Sequence, residues 1–93
     1  MNVENVFSST LRMKILKVLM YMSELNVSEI ARRIGVNYNT IDKHLKILED
    51  EGILQHKVFG RIHLYRFDEH SSKAKAVQNL IETWEKSDYK IKK

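Results

Sequence analysis

The chain has 93 residues, 43% of them apolar and 30% charged, with a formal net charge of +4 and an isoelectric point near 9.4. The absence of cysteine excludes a disulfide framework, a thiolate zinc site and a cysteine nucleophile, and no run approaches the roughly 18 apolar residues of a membrane-spanning helix. Surface-to-volume scaling allows one small domain over residues 1–93 with a modest core that a partner subunit would enlarge, and the mild, evenly spread positive charge permits nucleic-acid binding without requiring it.

The N-terminal segment contains Glu4 and no apolar h-region, so it does not read as a signal peptide, and a cytoplasmic protein is expected. Val3, Val6 and Phe7 recur at helical spacing in a stretch too short to be stable alone, which therefore needs a surface to pack on. Ser8 or Ser9 can cap the next helix, where Leu11, Ile15, Leu16, Val18 and Leu19 make a broad apolar stripe and Arg12, Lys14 and Lys17 lie mostly off it. A turn at Ser23-Glu24 leads into Leu25-Asn26-Val27, which has the form of a single β-bridge. Asn26-Val27-Ser28-Glu29 reads as a capping box, with Asn26 as N-cap and Glu29 reaching back, and it opens a short helix with Ile30, Ala31 and Ile34 inward and Arg32 and Arg33 outward. Gly35 ends that helix and permits a tight turn.

The helix that follows, over residues 37–51, has both ends written into the sequence. Asn37 is its N-cap, Val36 and Ile41 occupy the two positions of a hydrophobic staple, and Gly52 sits where a left-handed C-terminal cap belongs. At about 100° per residue, Ile41, Leu45 and Leu48 fall on one face and Asn39, Lys43, Lys46 and Asp50 on the opposite one. Two short capped helices joined by about three residues around a glycine form a helix-turn-helix; the alternative is an ordinary antiparallel pair of core helices. Asn39 and Lys43 have the chemistry to read base edges, whereas Asn37, Tyr38, Thr40 and Lys46 suit the DNA backbone.

Beyond Gly52 the pattern becomes β-branched and aromatic in two runs, residues 53–59 and 62–67, separated by Gly60-Arg61. This predicts a two-stranded hairpin with a type II′ turn, a wing if it follows a helix-turn-helix and otherwise a plain core cover. Arg61 then stands at the tip, aimed at the adjoining minor groove or phosphates, with Lys57 and Arg66 along the arms and Lys57 also placed against the DNA backbone. From Asp68 the helical period returns, with Asp68, Ser71 or Ser72 as cap and a helix over about 70–91. Ala74, Val77, Leu80, Ile81, Trp84 and Ile91 form its stripe. One reading makes Val77, Ile81 and Trp84, with Val3, Val6 and Phe7, a homodimer interface; the other folds the helix back on its own subunit. Lys90, Lys92 and Lys93 read as a solvated end.

The fold class expected is mainly α with a small β-hairpin wing, a winged helix-turn-helix with its core at 9–67 and a C-terminal dimerisation helix. The order of motifs from Ser9 to Phe67 resembles the ArsR-type winged-helix family of transcriptional repressors. The resemblance runs through Thr10-Leu11-Arg12-Met13-Lys14-Ile15-Leu16, Val27-Ser28-Glu29-Ile30-Ala31, Thr40-Ile41-Asp42-Lys43-His44-Leu45-Lys46-Ile47-Leu48, Glu51-Gly52-Ile53-Leu54, Gly60-Arg61 and Leu64-Tyr65-Arg66-Phe67. It implies a homodimeric regulator of double-stranded DNA with the 37–51 helix in the major groove, and small archaeal and archaeal-virus members are similar in length. Members that sense soft metals carry a cysteine pair where this chain has Leu25-Asn26-Val27-Ser28, so that site is absent. A second family site, acid-x-His followed by His-x-x-Glu or His-x-x-His, is incomplete here: one reading of His70, Glu82 and Glu85 is a hard-metal or Zn²⁺ site, the other a helix cap and two solvated glutamates. No cofactor is expected, the preferred reading has no metal, and no small-molecule ligand is identifiable. Catalysis has no support either, because His44, His56 and His63 have no obvious partner acid. The rival function is a winged-helix protein–protein module, which would present an apolar or acidic face where this chain offers Asn39, Lys43 and Lys46.

Overall fold

Four of the five helices among the described residues begin where a side-chain oxygen meets an otherwise unpaired amide. Ser9 accepts from Arg12 N (3.2 Å) ahead of α2 (Thr10–Met22), and Asn26 accepts from Glu29 N (2.7 Å) ahead of α3 (Val27–Ile34). Asn37 accepts from Thr40 N (2.9 Å) ahead of α4 (Tyr38–Asp50), and Ser71 from Ala74 N (3.1 Å) ahead of α5 (Ser72–Ile91). Each cap is worth about 1 kcal/mol to its helix. The five-residue α1 (Val3–Phe7) has no side-chain cap and depends on packing. This computed structural model describes residues 2–91; Lys92 and Lys93 and the side chains of Lys90 and Ile91, expected to form a solvated end and the last member of the apolar stripe, lie outside the described residues.

Two glycines end helices as anticipated. Gly35 (φ +80°) and Gly52 (φ +82°) adopt the left-handed conformation, and the following amides, Val36 N and Ile53 N, bond back to Ala31 O (3.1 Å) and Leu48 O (3.0 Å), satisfying carbonyls that the helix ends would leave open. The capping box at α3 is only half formed. Glu29 does not reach back to Asn26 but pairs with Arg32 and with Arg33 (3.0 Å) on its own helix, because two cations one turn on outcompete a single neutral amide for the carboxylate.

The sheet is antiparallel with order β1 (Glu24–Asn26), β3 (Ile62–Phe67), β2 (Leu54–Phe59), so the expected bridge at residues 25–27 is a three-residue strand one residue earlier, its end claimed by the start of α3. Phe59 and Ile62 close the hairpin around Gly60-Arg61. Gly60 has φ +60° and Arg61 stays out of the left-handed region, as a type II′ turn requires. The chain is therefore mainly helical with a small hairpin, the class expected from its sequence. Among the described residues no helix is long and apolar enough to cross a membrane.

The core forms where Ile15, Leu16 and Leu19 of α2, Val27 and Ile30 of α3, and Ile41, Leu45 and Leu48 of α4 meet Leu54, Tyr65 and Phe67 of the sheet. Full burial of each aliphatic side chain contributes roughly 1.5–3 kcal/mol. Helix α5 joins this core through Ala74, Val77 and Ile81, and α1 joins it through Val6. Val6, Val77 and Ile81, assigned from the sequence to a subunit interface, are thus buried within their own chain, because α5 lies along the body and needs one apolar edge of its stripe to do so. The other edge stays exposed, as do Val3 and Trp84, while Phe7 is half-buried. Ion pairs Lys73–Glu51 (2.7 Å) and Lys17–Glu85 (2.6 Å) hold α5 against the end of α4 and the middle of α2; they lower the Glu51 carboxyl and raise the Lys17 ammonium from their ordinary values.

One guanidinium ties three helices together. Arg12 donates through Nε to His44 Nδ1 (3.2 Å) and through Nη1 to the Asn5 carbonyl (2.6 Å). Burial, then the charges of Arg12 and Lys43, hold the His44 imidazole below the usual 6.5 of histidine. The unfolded chain therefore binds more protons than the folded one as pH falls through 6.5, and the stability supplied by neutral His44 is present above that pH and lost below it. Urea unfolding at about pH 7.5 and about pH 5.5 is expected to show a smaller pH-dependent loss for His44→Gln, which keeps an acceptor for Arg12, than for the wild type. An equal loss in both proteins would assign the effect to other groups.

Candidate nucleic-acid interface

The outward face of α4 is polar at every position that the helical period assigns to it: Asn39, Lys43, Lys46 and Asp50 are all exposed, directly opposite buried Ile41, Leu45 and Leu48. These four do not behave alike. Lys46 is paired with Asp42 (3.0 Å), whose hydrogen bond raises the lysine above its ordinary value, so Lys46 must leave this partner before it can meet a phosphate. Lys43 makes no ion pair among the described residues and is a cation ready for another acceptor. Asn37, Tyr38 and Thr40 cluster at the helix start. The oxygen of Asn37 is committed to the cap, which leaves its amide nitrogen; Tyr38 is exposed and Thr40 half-buried.

The hairpin brings its tip to the same surface. Arg61, Ile62 and His63 share a cleft of about 140 Å³ with Ser28 at the start of α3 and Tyr38 at the start of α4. Arg61 is exposed and, like Lys57, has no ion-pair partner among the described residues. Arg66 is different: it pairs with Glu69 (3.2 Å). The structure therefore gathers Tyr38 and Arg61 around one cleft, beside the α4 face that carries Asn39 and Lys43, and holds Arg66 at the far end of the wing.

A side-chain chain missed in the sequence fixes the wing to α4. His56 Nδ1 lies 3.1 Å from Glu49 Oε2, and its Nε2 lies 2.9 Å from His63 Nδ1. A proton on Nδ1 of each ring satisfies all three groups, with His56 donating to Glu49 and accepting from His63. The His56 ring also stacks on Tyr65 (centroids 4.6 Å apart, planes 8° apart), and Tyr65 is fully buried, which pushes its hydroxyl up to about 12. The partner acid that the sequence left unassigned is Glu49, seven residues before His56 across the Gly52 turn. Once the hairpin register is known, His56 and His63 fall diagonally on the core-facing side of β2 and β3. These hydrogen bonds run from α4 through β2 to β3, so they orient the wing on the helix.

The residues considered for a metal take other partners. Glu82 pairs with Lys86 (2.8 Å), Glu85 with Lys17, and His70 is exposed next to Glu69; among the described residues no group of three or more His, Cys, Asp or Glu side chains is arranged to hold a metal ion.

Comparison with known proteins places this geometry. The family described as "Bacterial regulatory protein, arsR family" matches residues 9–56, just over half of the chain, from the cap of α2 into β2. No curated protein sequence matches the chain closely enough to count as a relative. Among solved structures, an antimony-specific transcriptional repressor, AntR, superposes with a TM-score of 0.76 at 20% identity over 92% of this chain and 76% of its own. HlyU from Vibrio cholerae superposes with a TM-score of 0.74 at 22% identity over 86% of this chain and 84% of its own. The homodimeric winged helix-turn-helix DNA-binding domain of a Mycobacterium bovis protein, described as a possible ArsR-family transcriptional regulator, does so with a TM-score of 0.73 at 23% identity over 90% of this chain and 75% of its own. At these identities the likeness establishes a shared winged-helix fold.

Proposed function

Because the chain belongs to the arsR family of regulatory proteins, we propose that it is a transcriptional regulator, a repressor, that binds a palindromic double-stranded DNA site as a homodimer. The whole chain acts as one winged-helix unit. In this reading α4 lies in the major groove and the hairpin on the neighbouring minor groove and backbone. Asn39 and Lys43 meet base edges; Asn37, Tyr38, Thr40, Lys46, Lys57 and Arg61 meet the backbone. The observation that carries it is the α4 face, where exposed Asn39 and a Lys43 with no ion pair among the described residues stand at the end of the helix nearest the cleft that Arg61 lines. In helix-turn-helix docking it is the N-terminal part of the second helix that reaches base edges. The dimer brings in the exposed edge of α5, Leu80 and Trp84, with Val3 and half-buried Phe7. An apolar groove between α1 and α5, about 340 Å³ and lined by Val3, Phe7, Ala76 and Leu80, supports an occupant from a second copy.

Salt dependence tests this reading with random-sequence duplex as well as any chosen site. Lysines and arginines of two subunits displace counterions from several phosphates, so raising salt from about 50 to about 200 mM should weaken binding at least about tenfold. A flat response, or no binding at low salt, would favour the protein–protein module instead.

A further inference from the structure

The tip of the hairpin is apolar in a place where an isolated solvated turn would be polar. Val58, Phe59 and Ile62 are 54%, 58% and 51% exposed. Phe59 and Ile62 are the closing cross-strand pair, so their side chains stand together on one face of the hairpin, immediately behind the Gly60-Arg61 turn. Lys57 lies on that same face one pleat back. From residue 52 to residue 67 the chain carries Lys57, Arg61 and Arg66 and no aspartate or glutamate. The base of the hairpin is held by the Glu49–His56–His63 chain (3.1 and 2.9 Å) and by buried Tyr65, so the projecting end is mounted on a fixed support.

We propose that the wing tip is a wedge for the DNA minor groove. Arg61 enters the groove at the turn, and Phe59 with Ile62 press on the sugar walls and into one base step, partly unstacking it and bending the duplex toward the major groove. This inference rests on the DNA-binding reading and adds to it how the wing engages its site. Two features select DNA over a protein surface as the occupant. The charges beside the apolar pair are of one sign, complementary to phosphate on both walls of the groove, and the tip is continuous with the cleft that joins Arg61 to Tyr38 at the start of α4. Unstacking costs least at pyrimidine–purine steps, so the sites preferred by this protein should carry TA or CA/TG under each wing although no side chain reads those bases by hydrogen bonds.

The experiment uses the full chain and a duplex selected by it from a random pool, with 2-aminopurine placed in turn at adenines flanking each half-site. The wild type should raise the fluorescence of one step per half-site at least about twofold, as unstacking relieves quenching. The double variant Phe59→Ser/Ile62→Ser should abolish the rise and weaken binding to the selected duplex about tenfold, while changing affinity for random duplex less than about threefold. Arg61→Ala, which keeps the apolar pair, should retain part of the rise. Both serines replace exposed side chains, and an unchanged urea midpoint will show that the fold is intact. Wild-type binding without any fluorescent step, or a rise that survives in the double variant, overturns the wedge while leaving DNA binding in place. Failure of the wild type to bind duplex at all overturns the functional reading itself. A change in the sedimentation of the free protein caused by the two serines also overturns the wedge, by making the tip a contact between copies.

Discussion

Alanine at Asn39 or at Lys43 is expected to weaken binding to the preferred duplex by about 5- to 150-fold, roughly 1–3 kcal/mol, and binding to random duplex far less. The two side chains are one turn apart on the exposed face of α4, close to its N-terminus, and neither is engaged by a side-chain partner among the described residues. Asparagine can make a bidentate contact to adenine and lysine a contact to guanine, and each such contact depends on the base that supplies it. A phosphate contact does not. Arg61→Ala should therefore weaken both duplexes by similar factors, apart from any preference that a narrow groove adds. Lys46→Ala should cost less than Arg61→Ala on either DNA, because the pairing with Asp42 at 3.0 Å must be given up before Lys46 reaches a phosphate, whereas Arg61 has no such competitor among the described residues. Titrating the four variants against the selected and a scrambled duplex at one salt concentration decides the matter. Equal losses on both DNAs for Asn39→Ala and Lys43→Ala would remove α4 as the reading element.

Most of this architecture was legible because it is local. Caps at Ser9, Asn26 and Asn37, the left-handed glycines at 35 and 52, and the Gly60-Arg61 turn each act over a few residues, and the structure puts each where sequence chemistry puts it. The mismatches arise where a side chain has more than one partner within reach. Glu29 had a plausible amide within reach and took Arg32 and Arg33 instead; Lys46 looked free and found Asp42; His56 looked unpartnered and found Glu49 and His63 once the hairpin register set their diagonal. The exposed apolar tip was equally hidden. Val58, Phe59 and Ile62 read as ordinary strand residues, and only the path of the hairpin past the end of the core shows that they stay more than half exposed among the described residues. The α5 stripe was visible, but a stripe does not say how its width divides between a helix's own body and a second copy.

That division makes the second large effect separable into two experiments. Leu80 and Trp84 are 44% and 65% exposed, while Ile81, between them in sequence, is 4% exposed and belongs to the core. Ile81→Ala should therefore lower the stability of the protomer by about 2–5 kcal/mol, the range for truncating a packed aliphatic side chain, and shift the urea midpoint whether or not subunits are associated. Leu80→Glu with Trp84→Glu should do the reverse. Neither side chain supports the protomer core, so the double variant keeps its fold; in a symmetric interface, however, it removes four apolar side chains and sets four carboxylates in their place. With roughly 1.5–3 kcal/mol available from each apolar side chain fully buried, association should weaken by at least about a hundredfold even if each is only partly covered. For a wild-type dissociation constant of about 1 μM, a hundredfold weakening raises it to about 100 μM, so sedimentation velocity at about 10 μM should then change from dimer to monomer. Binding to the selected palindrome should fall with it, because each half-site must then be held by one protomer alone. A double variant that still sediments as a dimer would place the interface elsewhere, and a wild type that sediments as a monomer would require each protomer to recognise its half-site without a symmetry mate.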